Sequence, residues 1–190
     1  MPRKSLYDVN AIMEQAVDIF LEHSFHGAVM EEIIARTEFN RRGFYLEFGS
    51  KQQFLYDTLS YYHEHTLAPI VQHLENHHGI ASIEAFFDAY ISVMFGRGCL
   101  LINMVTELGH DDTTIQSIGR HYLDRLQLGF IGCLEQAQRQ GTVKAEINVE
   151  AVALQLTCFV QGFAVNSILA ETKEELHIAT QALLNPIITA

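Results

Sequence analysis

Four cations, Arg36, Arg41, Arg42 and Lys51, fall within one short stretch that holds only Glu38 and Glu47 against them. Arg41 and Arg42 follow Asn40, whose short side chain favours a helix cap. A cation in the first helical turn opposes the helix dipole, so local stability gives no reason for either arginine. The guanidinium fork does match the O6 and N7 acceptors on a guanine edge. The chemistry these residues offer is therefore recognition of DNA. Catalysis has no comparable signature, because the chain holds no nucleophile elbow, phosphate loop or His-Glu-x-x-His motif.

The elements that must position those arginines are short. Met30, Ile33 and Ile34 predict a helix ending near Arg36, and Asn40 caps the next, which carries Phe44 and Tyr45. A tight turn between two short helices is the helix-turn-helix layout, in which the second helix enters the major groove. Helices this short need packing partners. One precedes them, with Ser5 and Asp8 at its start, Val9, Ile12, Met13, Ala16, Ile19 and Phe20 at helical spacing to about His23, and Gly27 closing it. Ser50-x-x-Gln53 reads as a capping box opening the following helix. Pro69 is predicted to kink or break that helix, and the run from Asn76 to Gly79 to end it.

Beyond Gly79 the spacing predicts a helix from Ser82 through Phe95 and a short apolar segment from Cys99 to Leu108. A long helix capped by Asp111-Asp112-Thr113 then runs to Gly141. Another follows, capped by Asn148 and running to about residue 170, and a last one from about Lys173 to Leu184. No strand pattern appears. The expectation is all-α with about nine helices: a three-helix headpiece in 1–50, continuing into a helix over 51–66, and a helical body for effector binding and dimerisation in 51–190.

The 190 residues carry a net charge of −11, which argues against a general nucleic-acid binder. The basic charge is local to the second short helix. Three widely spaced cysteines, Cys99, Cys133 and Cys158, form neither a disulfide framework nor a zinc spacing. His73 and His77 stand at i, i+4, yet no carboxylate or cysteine joins them at a defined spacing, so no metal and no cofactor is expected. No apolar run reaches about 18 residues, and Met1 to Ser5 has no signal-peptide core. A cytoplasmic protein with no membrane partner is expected.

The helix over 149–170 is apolar on nearly every face, more than one core stripe requires. With the last helix it forms a ridge suited to a four-helix bundle with a twin, so a homodimer is expected through Leu156, Phe159, Phe163 and Leu183. The aromatic and methionine-rich segments 86–108 and 122–130 form core, and some of their residues are expected to line a cavity for an apolar effector. The candidates are Phe86, Tyr90, Met94, Cys99, Asn103 and Tyr122.

Residues 25–51 resemble the TetR (tetracycline repressor) family of bacterial regulators. The resemblance rests on Phe25, Met30-Glu31-Glu32-Ile33, Ala35, Phe39, Phe44-Tyr45, Phe48 and Ser50-Lys51. It implies a repressor whose body dimerises and releases a palindromic DNA operator when a small effector binds. The alternative is a dimeric ligand-binding or adaptor protein whose headpiece has lost operator binding. The resemblance places Arg3, Lys4, Val29, Asn40, Arg41, Arg42, Gly43, Tyr45 and Lys51 at the DNA, with Tyr45 and Lys51 on phosphates. Some relatives use a cysteine in the context of Gly98-Cys99-Leu100 to sense oxidants or electrophiles. Ala28 stands where the family usually has a capping Thr or Ser, Thr37-Glu38 replaces Ala-Gly in the turn, and Leu46-Glu47 replaces a pair that is commonly His or Tyr.

Overall fold

The computed structural model describes residues 8–76 and 78–189. Its headpiece is α1 (Val9–Gly27), α2 (Met30–Arg36) and α3 (Arg41–Phe48). The body comprises α4 (Lys51–Tyr62), a π turn (His63–Leu67), α5 (Ala68–Glu75), α6 (Ile80–Met94), α7 (Leu100–Leu108), α8 (Thr113–Gln140), α9 (Val149–Leu169) and α10 (Lys173–Leu184). Counting α4 and α5 as one interrupted helix gives the nine expected. The described residues contain one isolated bridge, Val143 with Ile188, and no named strand.

Local chemistry explains most boundaries. Asp8, Asn40, Ser50, Asp112, Asn148 and Thr172 each accept a backbone N–H in the first turn of the helix they cap. Only half of the expected box at Ser50 forms, since the Gln53 amide turns instead to Asp57. The α2 cap is Val29 rather than Ala28 and offers no side-chain acceptor. The sixth helix starts at Ile80, ahead of the expected Ser82, and Phe95 is its C-cap.

Two departures have physical causes worth following. Pro69 does not end its helix but follows an interruption in it, a π turn just before it that accommodates the missing N–H. Ser24 interrupts α1 at φ 57°, ψ −174°, a region almost reserved for glycine and costing about 1–3 kcal/mol. That twist frees the next two backbone N–H groups from the helical ladder. Both donate to one carboxylate, Phe25 N–H to Glu107 Oε2 and His26 N–H to Glu107 Oε1, each at 2.8 Å. Headpiece and body are thus joined by a side chain of α7.

α9 is long and apolar enough to cross a membrane, with a mean hydropathy of 1.5 over its most apolar window, contrary to the expectation from run length. The polar residues Gln155, Thr157, Gln161 and Asn166 had hidden this. Its inner face, with Leu156, Val160, Phe163 and Ala164, is buried in the core. Gly98, at φ 75°, lies where any Cβ would meet the Ile168 side chain at 2.8 Å, so the loop leading to α7 presses directly on α9.

Candidate nucleic-acid interface and adjoining groove

α3 is held by its aromatic face. Phe44 and Phe48 are buried and pack on Phe54 of α4 at 5.0 and 4.7 Å between ring centroids. Anchoring those two rings turns Arg41, Arg42, Tyr45, Leu46 and Glu47 outward. Asn40 caps the helix by accepting from Gly43 N–H at 2.8 Å. Glu38 adopts φ 57° in the turn, the strained conformation that the usual glycine would take without cost.

The cations separate by environment. Arg36 pairs with Glu22 at 2.6 Å and His23 with Glu32 at 2.8 Å, which ties α2 to α1. Arg41 is joined to Glu31, an exposed pair that a phosphate or base edge could displace. Among the described residues, no hydrogen bond or ion pair engages Arg42, which projects from the same turn. The Lys51 ammonium lies 4.5 Å from the Phe25 ring centroid, and burial pushes its pKa down, opposed by Glu107. Tyr45 is 42% exposed and Val29 52%. Arg3 and Lys4 lie outside the described residues. Leu46, which departs from the family pattern, is 77% exposed on this face.

A groove of about 780 Å³ opens in the body between α4, the π turn and α8, a volume suited to a small-molecule ligand. Tyr56, Leu59, His63, Ile118, Tyr122 and Leu128 form much of its wall. At its edge Arg125 pairs with Glu75 at 2.6 Å. Burial, with help from Arg125, pushes the His63 pKa down and favours its neutral ring. Of the six residues expected to line a cavity, Tyr122 lines this groove. Phe86, Tyr90, Met94 and Cys99 are buried in the core, and Asn103 is half-buried on α7. Tyr56, Leu59 and His63 were not among those candidates, since which residues of α4 and α8 flank a common groove depends on long-range packing that periodicity does not reveal.

Beside the groove lies a small polar island. Cys99 is fully buried, and that burial pushes its thiol pKa up against the pull of nearby backbone N–H groups and the Tyr90 and Tyr62 hydroxyls. Tyr62 Oη donates to Met94 Sδ at 3.4 Å. The Tyr90 and Tyr122 hydroxyls are buried and meet no partner in hydrogen-bond geometry among the described residues.

The outer face of α9 is apolar. Leu154, Val165, Ile168 and Leu169 are exposed by 51, 53, 47 and 74%, flanking the exposed Cys158 and an uncrowded Gly162. Ile178 of α10 is exposed by 56%. Of the four residues expected at a dimer contact, Leu156 and Phe163 face the protomer's own core, while Phe159 and Leu183 are half-buried.

A projecting third helix on a compact three-helix head, joined to an all-helical body with a groove, defines a helix-turn-helix transcriptional regulator. The family model described as "Bacterial regulatory proteins, tetR family" matches residues 12–57, and "Tetracyclin repressor-like, C-terminal domain" matches residues 79–183. The chain belongs to the TetR family of DNA-binding transcriptional regulators.

Among curated relatives, the HTH-type transcriptional repressor DhaR of Mycobacterium sp. (strain GP1) is 24% identical over 176 residues, covering 87% of this chain and 84% of its own. The repressor ComR of Escherichia coli (strain K12) is 22% identical, over 87% of this chain and 81% of its own. A cysteine-substituted CifR complexed with 26-base-pair operator DNA shares the fold with a TM-score of 0.81 at 17% identity, covering 96% of this chain and 98% of that one. Reduced NemR of E. coli gives 0.77 at 18% identity, over 94% and 95%.

Proposed function

We propose that this regulator is a cytoplasmic homodimeric repressor that leaves a palindromic operator when a mainly apolar effector fills the groove between α4 and α8. The carrying observation is the outward face of α3, where Arg42 stands unengaged and Arg41 is held only by an exposed pair. Arg42 and Arg41 read guanine edges, while Tyr45 and Lys51 hold phosphate and set register. In a dimer joined through the exposed apolar stripe of α9 and α10, two such helices lie about 34–36 Å apart, one turn of DNA. An effector that favours a dimer with another head separation lowers operator affinity by its differential binding to the two states. Full burial of Cys99, with its thiol held protonated, supports a non-covalent effector over direct modification of that cysteine. A gel shift with DNA flanking the chain's own gene tests operator binding, and a retarded band abolished by Arg42→Ala is expected.

A second reading is a dimeric ligand-binding or adaptor protein without an operator. The Arg41–Glu31 pair and the net charge of −11 favour it. Failure to shift any flanking fragment at low salt would establish that reading over the first.

A further inference from the structure

Resting on operator binding as proposed above, we infer that Leu46 is a base-reading residue of α3 and that it reads the C5-methyl group of a thymine in each operator half-site. The buried rings fix which way α3 faces. Phe44 and Phe48 are the buried residues of that helix, and both pack on Phe54. At about 100° per residue, Leu46 stands about 160° from each of them, so it lies directly opposite the anchored face. Its exposure agrees: at 77% it is the most exposed large hydrophobic side chain among the described residues. The crest of α3 that leads into a major groove is therefore a leucine. Arg42 stands one turn earlier and about 40° around the helix, while Gly43, on the other side of the crest, has no side chain to hold bases away.

The chemistry of the crest selects the base. A leucine neither donates nor accepts, so a purine edge or a cytosine amino group facing it would lose water and gain no partner. The thymine C5-methyl is the one apolar group on the major-groove edges, and contact with it removes two apolar surfaces from water. Helix propensity does not explain Leu46, since Arg, Lys, Gln and Glu serve as well without exposing apolar surface. Arg42 and Leu46 are about 6 Å apart along the helix axis, and base pairs about 3.4 Å apart along DNA. The thymine therefore lies within about two base steps of the guanine that Arg42 reads.

The test selects duplexes from a randomised library with the purified full-length protein, then measures the enriched duplex by fluorescence anisotropy. Each enriched half-site should carry a guanine with a thymine, on either strand, within about two base steps of it. Deoxyuridine in place of that thymine removes only the methyl group and should weaken wild-type binding about fourfold, the worth of one buried methyl. Leu46→Ala should bind the thymine and deoxyuridine duplexes alike, and circular dichroism should show it folded as wild type because the side chain is exposed. Arg42→Ala, by contrast, should lose the guanine preference and keep the discrimination between thymine and deoxyuridine. Equal affinity of wild type for the two duplexes, the same discrimination in Leu46→Ala, or an enriched site with no thymine near the guanine would each overturn the proposal and leave operator binding standing. Enrichment of no sequence would refute operator binding, and this proposal with it.

Discussion

Removing the Glu107 carboxylate cuts one of the direct ties between head and body, leaving Arg97 on Asp18 and Tyr61 on Glu14, and its cost can be worked from the geometry. Both carboxylate oxygens accept backbone N–H groups at 2.8 Å. A hydrogen bond to a charged group contributes about 1.5–3 kcal/mol. In Glu107→Ala the half-buried Phe25 N–H loses most of that, while the exposed His26 N–H recovers much of its share from water. Release of the strain at Ser24, which then returns toward a helical conformation, offsets part of the loss. The net is about 2 kcal/mol. For a chain of this length that lowers Tm by roughly 4–8 °C. Glu107→Gln keeps one acceptor and should fall between the two. Circular dichroism at the helical band during heating measures all three proteins at equal concentration. A Glu107→Ala protein melting within about 1 °C of wild type would refute the reasoning.

Three other outcomes follow from the same geometry. Arg42→Ala should cost roughly 1–3 kcal/mol of operator affinity and relax base preference, whereas Lys51→Ala should weaken all sequences alike and flatten the salt dependence; fluorescence anisotropy on an operator and a scrambled duplex separates them. Val165→Glu should give a folded monomer in light scattering, because Val165 is exposed on the protomer, while Phe163→Glu should unfold the protein by burying a charge inside it. Burial alone would raise the Asp112 pKa, but the Ile115 and Thr114 N–H groups, the Tyr56 hydroxyl and the Gln52 amide together hold it below the usual carboxylate value. Its contribution to stability is therefore complete above the unfolded pKa and is lost as pH falls through the folded one, so urea melts across the acidic range should show a loss that Asp112→Asn flattens.

Short-range chemistry made the helices legible. Asn40, Asp112 and Asn148 each cap the helix they were expected to cap, because a cap depends on residues within one turn. Glu38 announced its left-handed turn by standing where the family carries glycine. What stayed hidden depends on pairings far apart in the chain. Nothing near Ser24 in sequence points to Glu107, which stabilises its break from 83 residues away. Nor does the apolar run of α9 reveal that Phe163 faces inward and Val165 outward, since a helix hydrophobic on all sides carries no phase of its own. The groove had the same difficulty: Tyr122 is legible as a polar tip on an apolar stripe, but its neighbours Tyr56 and His63 come from another helix.

The π turn at His63–Leu67 divides one continuous rod into two rotational frames. An i to i+5 bond holds one more residue per turn than the helix on either side, so α4 and α5 are out of step by the angle of a single residue, about 100°. Deleting one residue between 63 and 67 would remove the extra residue, return the Pro69 ring to the carbonyl four residues before it, and rotate everything earlier, including the Phe54 contact with α3, relative to everything after. Inserting one would rotate it the other way. The angular setting of the DNA-reading head against the body is thus written in residue count, and length change in these five positions is a coarser mutation than any substitution there.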